Sequence, residues 1–228
     1  MWLHCDFEDD AGETAAATRA WLRPETLDTL LDLNELSLAL LAEQAAARGG
    51  AACPLLRQVG ELWRILDAPA RRRAAGCPYL LLDAGFADPA RWRASPVPEV
   101  GDGNGGYGAY FTVPAAAEVA RLVFTYAWHL ARSHSAAARL LLGMPAPSAA
   151  LIGRYTLRQI QVLAERRPEW LKPRWPTRVQ VWRELLLAAA AGEAAALERA
   201  RLRGLTLLAA EARLAPAAWA AFRGGAGH

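Results

Sequence analysis

Apolar residues recur along most of this chain at helical spacing, and almost nowhere alternate as a half-buried strand requires. From Pro24 to about Arg48, Leu27, Leu30, Leu31, Leu33, Leu36, Leu38, Leu40 and Leu41 exceed what one apolar stripe needs. This long helix is therefore predicted to be buried on two sides or to pair with a partner. Pro24 suits its first turn, where a missing N–H costs no helical bond, and Gly49-Gly50 stops it. Pro54 to Leu66 reads as one more helix, with Leu55, Leu56, Val59, Leu62, Trp63 and Leu66 near the helical period. Asp67 is a predicted N-cap for a helix that carries Arg71-Arg72-Arg73 and ends at Gly76-Cys77-Pro78. Tyr79 to Leu82 fits a buried strand or an extended packing segment, and the second is preferred.

The second half reads the same way. Pro114 opens a helix to about Ser133 through Val119, Leu122, Val123, Tyr126 and Leu130. Leu140, Leu141 and Leu142 close the next one, and Gly143-Met144-Pro145 breaks it, since Gly accepts a left-handed C-cap and Pro lacks an N–H. A short helix fits Pro147 to Arg154. Thr156 then caps a helix whose apolar stripe is Leu157, Ile160, Val162, Leu163 and Ala164. Pro168 ends it, and Glu169 to Trp175 is expected to run extended with Trp170, Leu171 and Trp175 packed back on the helices. Helices from Pro176 to about Ala191 and from Glu193 to Leu214 follow, parted by Gly192. At the ends, residues 1–12 and 224–228 are expected to be loose, with a short helix from Glu13 to Leu22 anchored by Trp21. The predicted fold class is all-α and multi-helical.

Composition changes sharply between Ser95 and Thr112, where Gly and Pro dominate. That divides the chain into an N-terminal helical unit over 1–94, a linker or loop over 95–113 and a C-terminal helical unit over 114–228. The Gly spacing matches neither a dinucleotide fingerprint nor a phosphate loop with its Lys. Residues 66–86 also lay over residues 155–175 without a gap: Asp67 falls opposite Thr156, Ala75 opposite Ala164, Leu82 opposite Leu171 and Phe86 opposite Trp175. Cap, helix, break and terminal aromatic recur in order, which sets a duplication against a chance echo.

On these residues the chain resembles a known family. Leu142-Gly143-Met144, Thr156-Leu157, Gln159, Leu163-Ala164-Glu165, Arg174 and the aromatic at Trp175 are similar to the segment of FlhD flagellar regulators that runs from a Leu-Gly turn through a helix to an Arg-aromatic ending. Asp32-Leu33-Asn34, with Leu40-Leu41-Ala42 and Gln44, resembles the helix that opens that family's domain. The resemblance implies an all-α, dimerising, cytoplasmic transcription factor that works with a second protein, FlhC, on promoter DNA. This chain is about twice that family's domain length, so two fused units would form a pseudo-twofold dimer within one chain.

Composition adds little to this. The net charge is +3, and Lys172 is the only lysine among 26 basic residues, so the arginine excess reads as compositional bias rather than a nucleic-acid signal. The start, MWLHCDFEDD, is acidic and lacks an apolar signal core, and no run is apolar enough to span a membrane, so the expected address is the cytoplasm. Cys5, Cys53 and Cys77 have no CxxC spacing and read as free thiols.

No constellation carries catalysis, no cofactor is expected, and His129 and His134 are too far apart along one helix to share a metal. The chain is therefore read as a non-enzyme. Arg154, Arg158, Gln159, Gln161, Arg166, Arg167, Lys172 and Arg174 form the candidate DNA-facing set, because a helix–turn–helix over this stretch would carry Arg158, Gln159 and Gln161 toward a major groove. Core packing is the competing reading. Candidate partner-binding residues are Leu33, Leu36, Leu40, Arg71, Arg72 and Arg73, although three consecutive arginines on a helix cannot share one face. The functional expectation is an FlhD-like helical regulator acting with a protein partner and double-stranded DNA, with self-association to a homodimer left open. The alternative is a non-enzymatic adaptor or accessory subunit of a secretion or other macromolecular assembly.

Overall fold

A computed structural model describes residues 24–46, 53–93, 110–111 and 115–224. The segments expected at 1–22, at Gly49-Gly50, over most of 95–113 and beyond 224 lie outside the described residues, as does Cys5. The fold is all-α and multi-helical, with one two-residue ribbon as its only sheet among the described residues.

Helix α1 spans Pro24–Ala46 and buries a broad arc from Leu30 to Gln44. It packs on α6 (Ala115–Ser133) on one side and on α3 (Gly60–Ile65) and α4 (Ala68–Ala75) on the other. That two-sided burial accounts for most of its leucines; Leu27 and Leu36 stay exposed. The helix expected over 54–66 is two pieces, α2 (Pro54–Gln58) and α3, because Val59 leaves helical geometry at φ −114°, ψ 22° and Gly60, a poor helix former, follows. Asp67 caps α4 through an oxygen that accepts from the Ala70 N–H at 2.8 Å.

A ribbon strand β1 (Leu82–Asp83) and the short helix α5 (Pro89–Arg93) complete the first half. The second half runs through α6, α7 (Ser135–Leu142), α8 (Ala146–Ile152) and α9 (Leu157–Arg166). Gly143 closes α7 at φ 67°, as a left-handed C-cap requires, and α8 departs at 120°. Thr156 and Gln159 form a complete capping box on α9. A single 3₁₀ turn at Pro168–Trp170 leads into β2 (Lys172–Pro173), then α10 (Val179–Ala191) and α11 (Ala194–Gly224). The last helix runs on past Leu214, where the sequence pattern predicts an end. Helix α10 starts three residues after Pro176 because Trp175 turns the chain at φ 51° and accepts a bond from the Arg178 N–H.

Strands β1 and β2 pair antiparallel, Leu82 with Pro173 and Asp83 with Lys172. Beyond the ribbon the two strands exchange territory. Helix α5 follows β1 but packs on α8, and α10 follows β2 but packs on α3 and α4. Trp92 of α5 accordingly lies against Phe124 at 5.3 Å and Trp170 at 5.4 Å, and Trp182 of α10 against Trp63 at 6.1 Å. No helix among the described residues is long and apolar enough to cross a membrane.

Candidate functional site

The ribbon is the joint of the molecule, and two buried polar side chains, Asn34 and Arg174, hold it together with the part-buried Asp83. Asn34, wholly buried in α1, donates its amide to the carbonyls of Ala75 and Tyr79 at 3.0 Å and of Cys77 at 3.3 Å. Its oxygen accepts from the Leu81 N–H at 2.9 Å, so one side chain ends α4 and feeds the chain into β1. Arg174 is only 4% exposed and reaches back across the ribbon: Nε donates to the Leu80 carbonyl at 2.8 Å and Nη2 to those of Leu142 at 3.0 Å and Leu82 at 3.4 Å. Asp83 pairs with Lys172 at 3.2 Å and accepts from the N–H groups of Gly85 and Phe86. Burial alone pushes the Asp83 carboxyl up, but the charges of Arg174 and Lys172 and the Phe86 bond outweigh it and hold the group below the ordinary carboxylate range.

Beside the ribbon lies a polar cleft of about 190 Å3, bounded by Asp83, Lys172, Arg174, Arg178 and Glu211. Glu211 accepts from the Trp175 indole at 2.7 Å, and burial raises its pKa against the pull of Arg174. Three cations face two carboxylates in this cleft, which leaves it an excess of positive charge, and it contains no nucleophile poised beside a base. Burial likewise pushes the Cys77 thiol up to about 11, and Tyr79 upward too, so neither is primed to ionise. Among the described residues no three His, Cys, Asp or Glu side chains converge as a metal site.

The candidate DNA-facing residues separate into two groups. Arg158, Gln161 and Arg166 are exposed on the side of α9 turned away from Ile160, Leu163 and Ala164, which pack on α6, and Arg154 is exposed in the turn that precedes the helix. Gln159 is also exposed, but its side chain is engaged in the capping box. Arg174 faces inward, Lys172 is tied to Asp83, and Arg167 pairs with Glu169 at 3.6 Å. The sequence's single basic set is thus part surface, part ribbon clasp.

The partner-binding set also divides. Leu33 and Leu40 are each 4% exposed, whereas Leu36 is 43% exposed. Arg71 donates to the Leu66 carbonyl, Arg72 pairs with Glu35 at 3.2 Å, and Arg73 donates to the Ala189 carbonyl, so the run points three ways, as helical geometry demands.

Sequence reasoning missed the roles of Asn34, Trp92 and Trp182. Each left a signal: an Asn inside a leucine stripe, and a Trp-Arg pair at 92–93 that recurs at 182–183. The local geometry around the two strands is offset by one residue from the ungapped overlay. Gly85 and Trp175 both take positive φ two residues after their strands, and Trp92 and Trp182 sit alike in the helices that follow, so Trp175 corresponds to Gly85 rather than to Phe86. Comparison of the chain with protein-family models, with curated proteins and with solved structures finds no match.

Proposed function

We propose that the chain is an FlhD-like helical regulator built from two fused units, acting through a protein partner and, with it, on promoter DNA. The observation that carries this reading is the exchange about the ribbon, in which each half lends the helix after its strand to the other half. The residues of the family resemblance fall at its joints: Asn34 and Arg174 clasp the ribbon, Gly143 closes α7, Thr156 and Gln159 cap α9, and Trp175 makes the turn. An intertwined pair of this kind is suited to presenting surfaces. The DNA-facing surface is the outer side of α9 with the turn before it, where Arg158 and Arg154 are exposed and make no ion pair among the described residues. Such side chains contact phosphates or guanine edges, and Gln161 beside them suits adenine.

Fluorescence anisotropy with mixed duplex DNA, titrated between about 50 and 200 mM salt, tests the DNA half of the proposal. Salt-dependent binding is expected, and Arg154→Ala with Arg158→Ala should reduce the logarithmic salt slope by roughly two, one for each lost phosphate contact. Absence of binding at low salt removes DNA contact by this chain alone. A helical adaptor is the second reading, and one observation favours it: Arg71, Arg72, Arg73, Arg174, Arg201 and Arg203 are all engaged within the molecule rather than gathered on a basic face.

A further inference from the structure

A groove of about 380 Å3 runs between the first half of α1 and the middle of α6, with a lining that is mostly apolar at its surface. Leu33 and Leu130 form its base, Thr29 and Leu122 its walls. Its shape is fixed, because the Tyr126 hydroxyl donates to the Thr26 carbonyl at 3.0 Å and ties α1 to α6. Leu122 is 42% exposed, and Leu36, almost one turn beyond Leu33, is 43% exposed, so the apolar surface continues past the groove.

The α1 side of the groove is acidic: Glu25 lines it and Asp28 and Asp32 lie beside it on the same helix, while His129 lines the α6 side. Glu25, Asp28 and Asp32 recur at helical spacing on the solvent side of α1, all exposed, and none has an ion-pair partner among the described residues. Like charges at this spacing repel one another along the helix. The chain as a whole is basic, at net +3, so this acidic stripe beside an apolar groove is a local departure. Apolar floor and acidic α1 side together define a complementary ligand.

We infer that this groove seats a basic amphipathic helix of the protein partner, with its apolar face against Leu33, Leu122 and Leu130 and its Lys or Arg side chains against Glu25, Asp28 and Asp32. The inference rests on the partner-dependent reading above and gives that partner its chemistry. A second copy of the chain would bring a second acidic stripe to the same contact and fits less well.

Three labelled peptides of about 18 residues, enough for five helical turns, test this against the purified full chain. One carries Leu at helical spacing among Lys and Arg, the second scrambles the same composition, and the third replaces the basic residues by Glu. Only the first is expected to bind. Asp28→Asn with Asp32→Asn should weaken it about fivefold, and Leu122→Glu by about tenfold or more. All three positions are exposed, so circular dichroism of the variants should be unchanged, as should their affinity for DNA. No binding of the first peptide overturns the inference, as does equal binding of the scrambled or acidic peptide, or an affinity indifferent to these substitutions. Self-association of the chain that Leu122→Glu dissolves, without peptide binding, also overturns it and gives the groove to a second copy. A chain that binds DNA but no peptide loses this docking site alone; one that binds the peptide but no DNA keeps it.

Discussion

Asn34 has four hydrogen bonds in a site that water does not reach. Replacing it by Leu strands the Leu81 N–H and frees three carbonyls, and the cost of such orphaned groups is about 2–4 kcal/mol. Urea denaturation of Asn34→Leu should show this as a lowered midpoint at unchanged slope. Asp83 makes stability depend on pH in a defined direction. Its folded pKa lies below the unfolded value, so its contribution is complete above the unfolded carboxylate range and is lost as pH falls through the folded value. In an acid titration followed by tryptophan fluorescence, Asp83→Asn should flatten the fall in stability below about pH 4, the unfolded aspartate pKa. An Asp83→Asn profile that parallels the parent would refute that role. At this scale the sequence was only partly readable. Arg174 looked like a surface cation because burial of a guanidinium depends on carbonyls from Leu80, Leu82 and Leu142, which no local pattern brings to it.

At the scale of elements, α9 shows how local chemistry and packing divide the work. Thr156 and Gln159 satisfy the first turn, and Ile160, Leu163 and Ala164 bind the helix to α6, which leaves Arg158 and Gln161 outside. Thr156→Ala should cost about 1 kcal/mol and loosen the first turn that presents Arg158, measurable as faster amide exchange at Gln159. Helix α11 is held by a different device. Gly204 lets it cross the core so closely that an added Cβ would overlap the Tyr79 hydroxyl and ring. Gly204→Ala is therefore expected to displace α11 and lower the melting temperature, although Ala is the better helix former. A rise in melting temperature would mean that this crossing is not needed. The helices, caps and Gly143 turn follow the sequence pattern closely, whereas the break at Val59 and the late start of α10 do not. The first follows from Gly60, a poor helix former, and the second from the turn at Trp175, neither of which helical periodicity encodes.

For the whole molecule, exchange of α5 and α10 across the ribbon makes each half incomplete without the other. Trp92 stacks on Phe86 of its own half but also meets Phe124 and Trp170 of the second half, and Trp182 finds Trp63 in the first. Urea unfolding should therefore be a single transition, coincident by circular dichroism and by tryptophan fluorescence. Two co-expressed fragments divided within 95–109 should purify as one complex, and neither should fold alone. Separate transitions, or a soluble folded fragment, would show that the halves are independent domains.

What the sequence determined by itself is the set of helices, their caps and the all-α class, because apolar period, Asp or Thr at a first turn and Gly or Pro at an end act within a few residues. Asn34, Gly143, Thr156, Gln159, Arg174 and Trp175 also stood out there, without the contacts that Asn34 and Arg174 make. Only the tertiary structure decided which half each of α5 and α10 joins, that Arg174 turns inward while Arg158 turns outward, and that α1 and α6 enclose a groove acidic on its α1 side. Those outcomes depend on contacts between residues far apart in the chain, where burial and hydrogen-bond satisfaction outweigh local preference.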